Sequence, residues 1–369
     1  MQGSTMTQLY IGVMSGTSLD GIDVVAVSFD PLTLHASLSV TFPDGLVEQL
    51  LALTQSGPDE IERMGIADVA YARVVGQSIN LMIDHYALPR DQIVAIGCHG
   101  QTIRHRPELG FSLQIGDPNL IAEITRLPVV ADFRRRDLAA GGQGAPLVPA
   151  FHQAFFQHQH IHRIVLNLGG IANISVLPAG HPEAVCGFDT GPANLLMDAW
   201  TQLHTGQPFD KGGQWAASGQ ISELLLNQLL SHPFFAKAAP KSTGREDFHL
   251  AWLRSQISGL GLSPKDVQAT LLALTAKSIA DAVMATQLDR GELWMCGGGA
   301  FNRELWHRLQ KRLPNWILKS TADIGLAPTW VEATAFAWLA QQRLQGHPAN
   351  IPNVTGASGH RVLGGLYSP

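Results

Sequence analysis

The sequence has little charge and few cysteines. Charged side chains make up 15% of the 369 residues and the net charge is −5, so we expect no broad basic face for nucleic acid or an acidic membrane. The three cysteines, Cys98, Cys186 and Cys296, are odd in number, far apart and without metal-ligand spacing. This pattern predicts no disulfide framework and is typical of a reducing cytoplasm.

Signals for membranes and export are also lacking. Residues 1–6 have neither the basic region nor the apolar core of a signal peptide, and we expect no apolar run to reach the length of a membrane span. We therefore expect a cytoplasmic protein that binds neither nucleic acid nor a membrane.

Hydrophobic residues, by contrast, make up 45% of the chain, which is enough to bury a sizeable core. At about 150 residues per domain, the length predicts two domains. We expect one domain to comprise residues 1–150 with 346–369, and the other to comprise residues 151–345.

Two β-rich runs near the start, Tyr10–Met14 and Val24–Phe29, flank a small, hydroxylated and acidic turn. Backbone N–H groups in such a glycine-containing turn can bind phosphate, and carboxylates suit a hard cation that bridges phosphates. An ordinary hairpin is an equally good interpretation of this stretch alone. The ATP-binding candidates here are Gly16, Thr17, Ser18, Leu19, Asp20, Gly21, Ile22 and Asp23, of which Asp20 and Asp23 are the metal candidates.

The second half begins with the same pattern. Ile164–Gly170 and Ile171–Leu177 form another strand, glycine turn and strand, and a later strand runs into Gly297–Asn302. The order of three strands, helix, strand and alternating elements predicts an α/β fold of two ribonuclease H-like domains, with mixed sheets flanked by helices around a central cleft. The further ATP-binding candidates are Asn167, Leu168, Gly169, Gly170, Gly297, Gly298, Gly299 and Asn302.

Seven motifs in order along the chain resemble the anhydro-N-acetylmuramic acid kinase family, within the sugar-kinase, actin and heat-shock ATPase superfamily. They are Met14–Gly21, Gly100–Arg104, Ala131–Asp137, Gly141–Pro149, Gly187–Asn194, Pro240–Glu246 and Cys296–Asn302.

The resemblance implies an enzyme that uses ATP and Mg²⁺. Its small-molecule substrate would be anhydro-N-acetylmuramic acid, whose 1,6-anhydro bridge is opened by water while O6 is phosphorylated. The products would be N-acetylmuramic acid 6-phosphate and ADP, in cell-wall recycling and amino-sugar catabolism. A homodimer is compatible with the sequence, which does not determine the oligomeric state.

Asp189 follows a strand and precedes the Gly191-Pro192 turn, so we expect its carboxylate to face the cleft. With the resemblance, it is the candidate general base for the water that attacks C1. The alternative is that Asp189 caps the helix that follows.

The substrate-binding candidates are polar groups at strand or helix ends: Ser15, Gln101, Arg135, Arg136, Asp137 and Glu332. Of the three consecutive arginines that begin at Arg134, we expect Arg135 or Arg136 to point inward, towards the lactyl carboxylate of the sugar. Lys241, Ser242 and Arg245 are candidates for phosphate contact, although a surface loop explains them nearly as well. We expect His158, His160 and His162 to be surface residues rather than metal ligands.

Two other classes of function would require features of their own. A non-catalytic nucleotide switch of the same superfamily would be expected to need a further peptide-binding region after the nucleotide domain. A glycosidase would need two carboxylates on either side of the scissile bond and no nucleotide, which the glycine-rich turns disfavour.

Overall fold

The computed structural model describes residues 7–16 and 19–369, so the candidates Thr17 and Ser18 lie outside the described residues. The β-strands are β1 Leu9–Met14, β2 Ile22–Phe29, β3 Leu32–Val40, β4 Ile93–Cys98, β5 Gln101–Arg106, β6 Phe111–Ile115, β7 Val129–Ala131, β8 Arg163–Leu168, β9 Ile171–Leu177, β10 Cys186–Pro192, β11 Gly291–Cys296, β12 Trp316–Ser320 and β13 Gly365–Tyr367.

The α-helices are α1 Leu46–Leu53, α2 Glu60–His85, α3 Pro118–Thr125, α4 Arg135–Leu138, α5 Val148–Phe156, α6 Asn194–Thr205, α7 Gln214–Ala217, α8 Glu223–Leu230, α9 Pro233–Ala236, α10 Leu250–Ile257, α11 Pro264–Ala285, α12 Arg303–Arg312, α13 Val331–Gln345 and α14 Pro352–Thr355.

The chain divides into two compact units. The first comprises Met1–Phe151 with Trp330–Pro369, and the second comprises His152–Thr329. The first contains a six-stranded sheet of order β13-β7-β4-β1-β2-β3, in which β1, β2 and β3 are antiparallel neighbours and β4 runs parallel to β1. Strands β5 and β6 form a separate antiparallel pair.

The second unit repeats this topology in a five-stranded sheet of order β10-β9-β8-β11-β12. Strands β8, β9 and β10 are antiparallel, and β11 and β12 run parallel to β8. Three antiparallel strands followed by parallel strands on the other side of the first strand define the ribonuclease H-like order, so the predicted fold class is confirmed in both units.

Helix α13 packs on the first sheet, although the sequence assigned it to the second domain. Its buried Ala333 and Ala337 join the apolar cluster that contains Tyr10 and Val25. A Cβ atom on Gly12 of β1 would overlap the carbonyl oxygen of Ala333, and one on Gly97 of β4 would overlap that of Phe336. These two glycines allow the helix to lie directly on the strands.

Helix α11 is the core helix of the second unit. By length and composition it could cross a membrane, contrary to the expectation that no apolar run reaches that length, but 78% of its most apolar window is buried. Its side chains pack with β8, β9 and β11 in the largest apolar cluster of that unit. Such burial is typical of a core helix.

Candidate functional site

Asp189 lies inside β10, one residue before an irregularity in the pairing of β10 with β9. Its carboxylate oxygen Oδ2 accepts a hydrogen bond from the backbone N–H of Thr243 at 3.0 Å, and its own N–H donates to the carbonyl of Lys241 at 3.0 Å. Helix α6 begins after Ala193 and has no side-chain cap. The helix-cap interpretation of Asp189 is therefore wrong, because its carboxylate binds the 240–246 loop.

Burial raises the pKa of Asp189 to about 6. The Thr243 N–H acts in the opposite direction, and the nearby Glu246 carboxylate raises the pKa further. A carboxylate with this pKa is mostly ionised at neutral pH and is a stronger base than an ordinary aspartate. The side chain is therefore suited to accept a proton from water.

The neighbouring Lys241 is bound within the second unit. Its ammonium donates to the carbonyls of Phe234 at 3.2 Å and Phe235 at 3.3 Å, and lies 4.6 Å from the centre of the Phe234 ring. Burial lowers the pKa of Lys241, with a smaller effect from Lys237. In the structure this lysine holds the loop that positions Asp189.

The turn between β8 and β9 leaves space beside its glycines. A Cβ atom on Gly169 would come no closer than 3.6 Å to its neighbours, and one on Gly170 no closer than 3.7 Å. The carbonyl of Gly169 accepts the N–H of Asn194 at 3.1 Å, and that of Gly170 accepts the N–H of Ala193 at 2.9 Å. The turn thus lies against the beginning of α6.

The second glycine turn follows β11. Gly297 has φ 78°, and a Cβ atom there would lie 2.6 Å from Oδ1 of Asn167, so this position requires glycine. At Gly298 a Cβ atom would find open space, with its nearest neighbour 4.0 Å away. Asn302 caps α12 by accepting the N–H of Leu305 at 3.0 Å.

A pocket of about 1140 Å³ opens beside this turn, entirely within the second unit, and we call it the glycine-turn pocket. It is lined by Asn194, Met197 and Asp198 of α6, residues 209–214 and Ala217, Gln268 of α11, and residues 298–304 and Trp306. The sequence predicted only Gly298, Gly299 and Asn302 among these. The Gly212-Gly213 pair, where both residues have positive φ, was the missed signal for the 209–214 wall.

The turn between β1 and β2, which we call the opening turn, belongs to the first unit. The side chains of Leu19 and Ile22 are buried in its core, so any contact of these two residues with a nucleotide must come from their backbone. Gly21 packs closely against β3, since a Cβ atom there would lie 2.7 Å from the carbonyl oxygen of Val40. Gly16 accepts the N–H of Leu19 at 3.3 Å.

Asp20 and Asp23 supply the carboxylates of this turn. Burial raises the pKa of Asp23, a hydrogen bond with Ser39 lowers it, and the exposed Asp20 raises it again. Two neighbouring carboxylates are the oxygen donors that Mg²⁺ accepts together with phosphate. Among residues 7–16 and 19–369, no group of three or more His, Cys, Asp or Glu side chains forms a metal site. The assignment of Mg²⁺ to Asp20 and Asp23 stays a prediction.

Ser15 and Gln101 bind each other. The Ser15 hydroxyl donates to Oε1 of Gln101, whose Nε2 donates to the carbonyl of Gly16 at 3.3 Å. Both side chains are 2% exposed. They brace the opening turn, and their contact with a substrate stays a prediction.

Among the three arginines, Arg134 is the one that turns into the first unit. Its guanidinium donates to the carbonyl of Gly144 at 2.8 Å and to Nε2 of His99 at 2.8 Å. Arg135 and Arg136 are both exposed, and Arg135 pairs with Asp132 at 3.3 Å, so their contact with the lactyl carboxylate stays a prediction. Sequence reasoning missed Arg134 because consecutive residues offer no local signal for the direction of each side chain.

Glu332 lies near the charge of Arg134. Burial raises the pKa of Glu332, Arg134 lowers it and Asp23 raises it. For Arg134, burial lowers the pKa to about 10, while Glu332 and Asp137 act in the opposite direction. The structure therefore brings Asp23, Glu332 and Arg134 into one charged group within the first unit.

Asp137 is a structural residue, which corrects its assignment to substrate binding. It is 0% exposed. Oδ1 accepts from the Asn350 amide at 2.7 Å and the Thr355 hydroxyl at 2.8 Å, and Oδ2 accepts the N–H of Gly144 at 2.8 Å. These bonds join the 137–144 segment to the C-terminal residues and leave the carboxylate no room for a ligand.

The rings of His158 and His162 accept hydrogen bonds from nearby backbone N–H groups. Nδ1 of His158 accepts the N–H groups of His160 and Ile161, each at 3.1 Å, and Nδ1 of His162 accepts that of Ala179 at 2.9 Å. They shape the turn that leads into β8.

Comparison with known proteins adds a full-length similarity. Residues 8–369 match the model of the family described as anhydro-N-acetylmuramic acid kinase. A relative of that name from Acinetobacter baylyi is 57% identical over 98% of this chain and 100% of its own length. Another from Shewanella pealeana is 52% identical over 97% of this chain and 98% of its own.

Proposed function

Because this chain belongs to the anhydro-N-acetylmuramic acid kinase family, we propose that it is an ATP-dependent kinase of that anhydro sugar in cell-wall recycling and amino-sugar catabolism. The main support for this proposal is the family match over residues 8–369. In this proposal, water opens the 1,6-anhydro bridge, ATP phosphorylates O6, and the products are N-acetylmuramic acid 6-phosphate and ADP.

The two halves of the reaction must be coupled, because the anhydro sugar has no free 6-hydroxyl. Water attacks C1 and the bond from C1 to O6 breaks, while O6 attacks the γ-phosphorus of ATP and ADP leaves. The water gives up one proton in this step. Asp189 is the residue we assign to receive it, because its pKa is about 6 and the N–H of Thr243 holds its carboxylate.

We propose that the second unit binds the nucleotide. Gly169, Gly170 and Gly298 leave open space in which backbone can approach phosphate, and the glycine-turn pocket is large enough for a nucleoside. Asn167, Gly297 and Gly299 support this turn, since side chains at the two glycine positions would collide with neighbouring atoms.

We propose that the first unit binds the sugar and contributes part of the phosphate site. Burial raises the pKa of Glu332, and a hydroxyl or amide of the sugar is the partner that we propose for its carboxylate. Arg135 and Arg136 are exposed and remain candidates for the lactyl carboxylate. Ser15 and Gln101 would position the Gly16 end of the opening turn.

Asp20 and Asp23 are the residues we propose for Mg²⁺. When bound with ATP, the ion would neutralise phosphate charge.

The deciding experiment mixes the protein with ATP, Mg²⁺ and the anhydro sugar in ¹⁸O-water and identifies the products by mass spectrometry. We expect ADP release only when the sugar is present, and the label at C1 and not in the phosphate. Ordinary N-acetylmuramic acid, which has a free 6-hydroxyl, should be a poor substrate. Equal rates on the two sugars, or label in the phosphate, would contradict the coupled reaction.

A further inference from the structure

Thr243 is bound to two carboxylates of the second unit, one through its backbone and one through its side chain. Its N–H donates to Oδ2 of Asp189 at 3.0 Å, and its hydroxyl donates to Oδ2 of Asp247 at 2.7 Å. Hydrogen bonds from a hydroxyl to a carboxylate are roughly twice as strong as those between neutral groups. The hydroxyl of Thr243 therefore ties the peptide that binds Asp189 to a second point in the chain.

This second point is held by the core. The carbonyl of Gly244 accepts the N–H groups of Asp247 at 3.3 Å and Phe248 at 3.1 Å. The Phe248 side chain is 0% exposed and lies in the largest apolar cluster of the second unit. Because Asp247 precedes this buried ring, its backbone is fixed, and its bond to the Thr243 hydroxyl fixes the turn between them.

The N–H of Thr243 affects both properties that a general base needs, which are direction and basicity. A base must face the water that it deprotonates, and a displacement of about 1 Å can lower a rate by about a hundredfold. Burial raises the pKa of Asp189, the Thr243 N–H lowers it, and Glu246 raises it again. If the N–H moved away, the carboxylate would lose a constraint on its direction and its pKa would rise further.

We propose that Thr243 is a positioning residue for the reaction: its hydroxyl, bound to Asp247, holds the backbone N–H that directs the Asp189 carboxylate towards the attacking water. The proposal rests on the proposed function, in which Asp189 receives the proton of that water. Thr243 acts through Asp189 and needs no contact with the sugar or with ATP.

The test removes each end of the bond between Thr243 and Asp247. Thr243→Val keeps the shape of the side chain without its hydroxyl, Thr243→Ser keeps the hydroxyl, and Asp247→Ala removes the acceptor. Thr286→Val is the matched control, because the Thr286 hydroxyl after α11 donates to the carbonyl of Val283 at 2.7 Å. ADP release is measured with ATP, Mg²⁺ and the anhydro sugar across a range of pH, and melting curves verify that each variant is folded.

We expect kcat of Thr243→Val to fall roughly tenfold or more, with the KM for ATP unchanged within about twofold. The acidic limb of its kcat/KM profile should move above pH 6, because the N–H that lowers the pKa of Asp189 is displaced. Thr243→Ser should recover most of the lost turnover, and Thr286→Val should match wild type. Asp247→Ala should resemble Thr243→Val, and the double variant should be no slower than either, because both changes remove the same bond.

A folded Thr243→Val with the turnover and the acidic limb of wild type would overturn the role of Thr243. A slower Thr243→Val whose acidic limb stays in place would also overturn it, because a merely structural defect does not change the basicity of Asp189. If Asp189→Asn is inactive while Thr243→Val is unaffected, only the role of Thr243 fails. Near-normal turnover of Asp189→Asn would overturn the base assignment and the role of Thr243 together.

Discussion

The sequence predicts that Asp137 and Asp189 each follow a strand, yet their carboxylates have different surroundings in the structure. Asp137 is fully buried and accepts three hydrogen bonds from Gly144, Asn350 and Thr355. The described contacts of the Asp189 carboxylate include one such bond, from Thr243, and its pKa is raised to about 6. A fully buried carboxylate with three hydrogen bonds stabilises a fold, whereas one with fewer bonds and a raised pKa can take part in a reaction.

The largest expected effect is a loss of turnover when Asp189 is replaced. Asp189→Asn keeps the shape of the side chain and an oxygen that can accept the Thr243 N–H, but Asn cannot take a proton from water. We expect turnover to fall by roughly 10²- to 10⁴-fold, as for loss of a general base, with substrate binding retained. Steady-state kinetics measures this, with the exposed Asp289→Asn as a control of the same chemistry. Near-normal turnover would leave Asp20 and Asp23 as the next candidates for the base.

Loss of Asp137, by contrast, should affect stability more than loss of Asp189. Asp137→Ala leaves the Asn350 amide, the Thr355 hydroxyl and the Gly144 N–H without their acceptor inside the first unit. We expect the free energy of unfolding to fall by about 3 kcal/mol or more, measured by urea denaturation. The exposed Asp44→Ala should change it by no more than about 0.5 kcal/mol. If the two variants proved equally stable, the buried network would not be the structural element we describe.

The pH dependence of the reaction sharpens the contrast. Since burial raises the pKa of Asp189 to about 6, the base form is lost as pH falls through 6, and kcat/KM should drop about tenfold per unit below it. The raised pKa of Asp189 affects the stability of the fold with the opposite pH dependence. A raised folded-state pKa stabilises the fold below the unfolded value near 3.9, and this contribution is lost as pH rises through 6. Asp189→Asn should therefore be no less stable than wild type at pH 7. A rate profile without an acidic limb near pH 6 would refute this role.

The smallest expected effects distinguish adjacent arginines. Arg134→Ala removes hydrogen bonds to Gly144 and His99 and should cost about 1–3 kcal/mol of unfolding free energy. Arg135→Ala removes a side chain that is 60% exposed and an ion pair with Asp132, so the change should stay within about 0.5 kcal/mol. If Arg135 binds the lactyl carboxylate, its loss should instead raise the KM for the sugar. Thermal melts and sugar titrations separate these outcomes, and equal destabilisation by both variants would contradict the inward position of Arg134.

Local sequence patterns were sufficient to predict the antiparallel strands at the start of each unit and the glycine turns between them. Val24, Val25 and Val27 make β2 a strand by composition, and the strand, glycine turn and strand recurs at β8 and β9. Strands β12 and β13 were not predicted from the sequence, and they form by pairing with β11 and β7.

Side-chain direction was decided by partners that are distant in the chain. Asp137 meets Asn350, 213 residues later, and Asp189 meets Thr243, 54 residues later. A charged run such as 134–137 looks uniform in sequence, and only packing determines which of its members is buried. For the same reason α13 could not be assigned to a unit from its own apolar face. Its place depends on Gly12 and Gly97 leaving room on another sheet.

The sequence by itself determined the duplicated ribonuclease H-like pattern, the family and the glycine turns, because these depend on residue type and short spacing. Only the tertiary structure decided that Arg134 rather than Arg135 turns into the first unit and that Asp137 is a structural carboxylate. Burial and hydrogen bonding between distant segments set these properties, and no local pattern encodes which groups will meet.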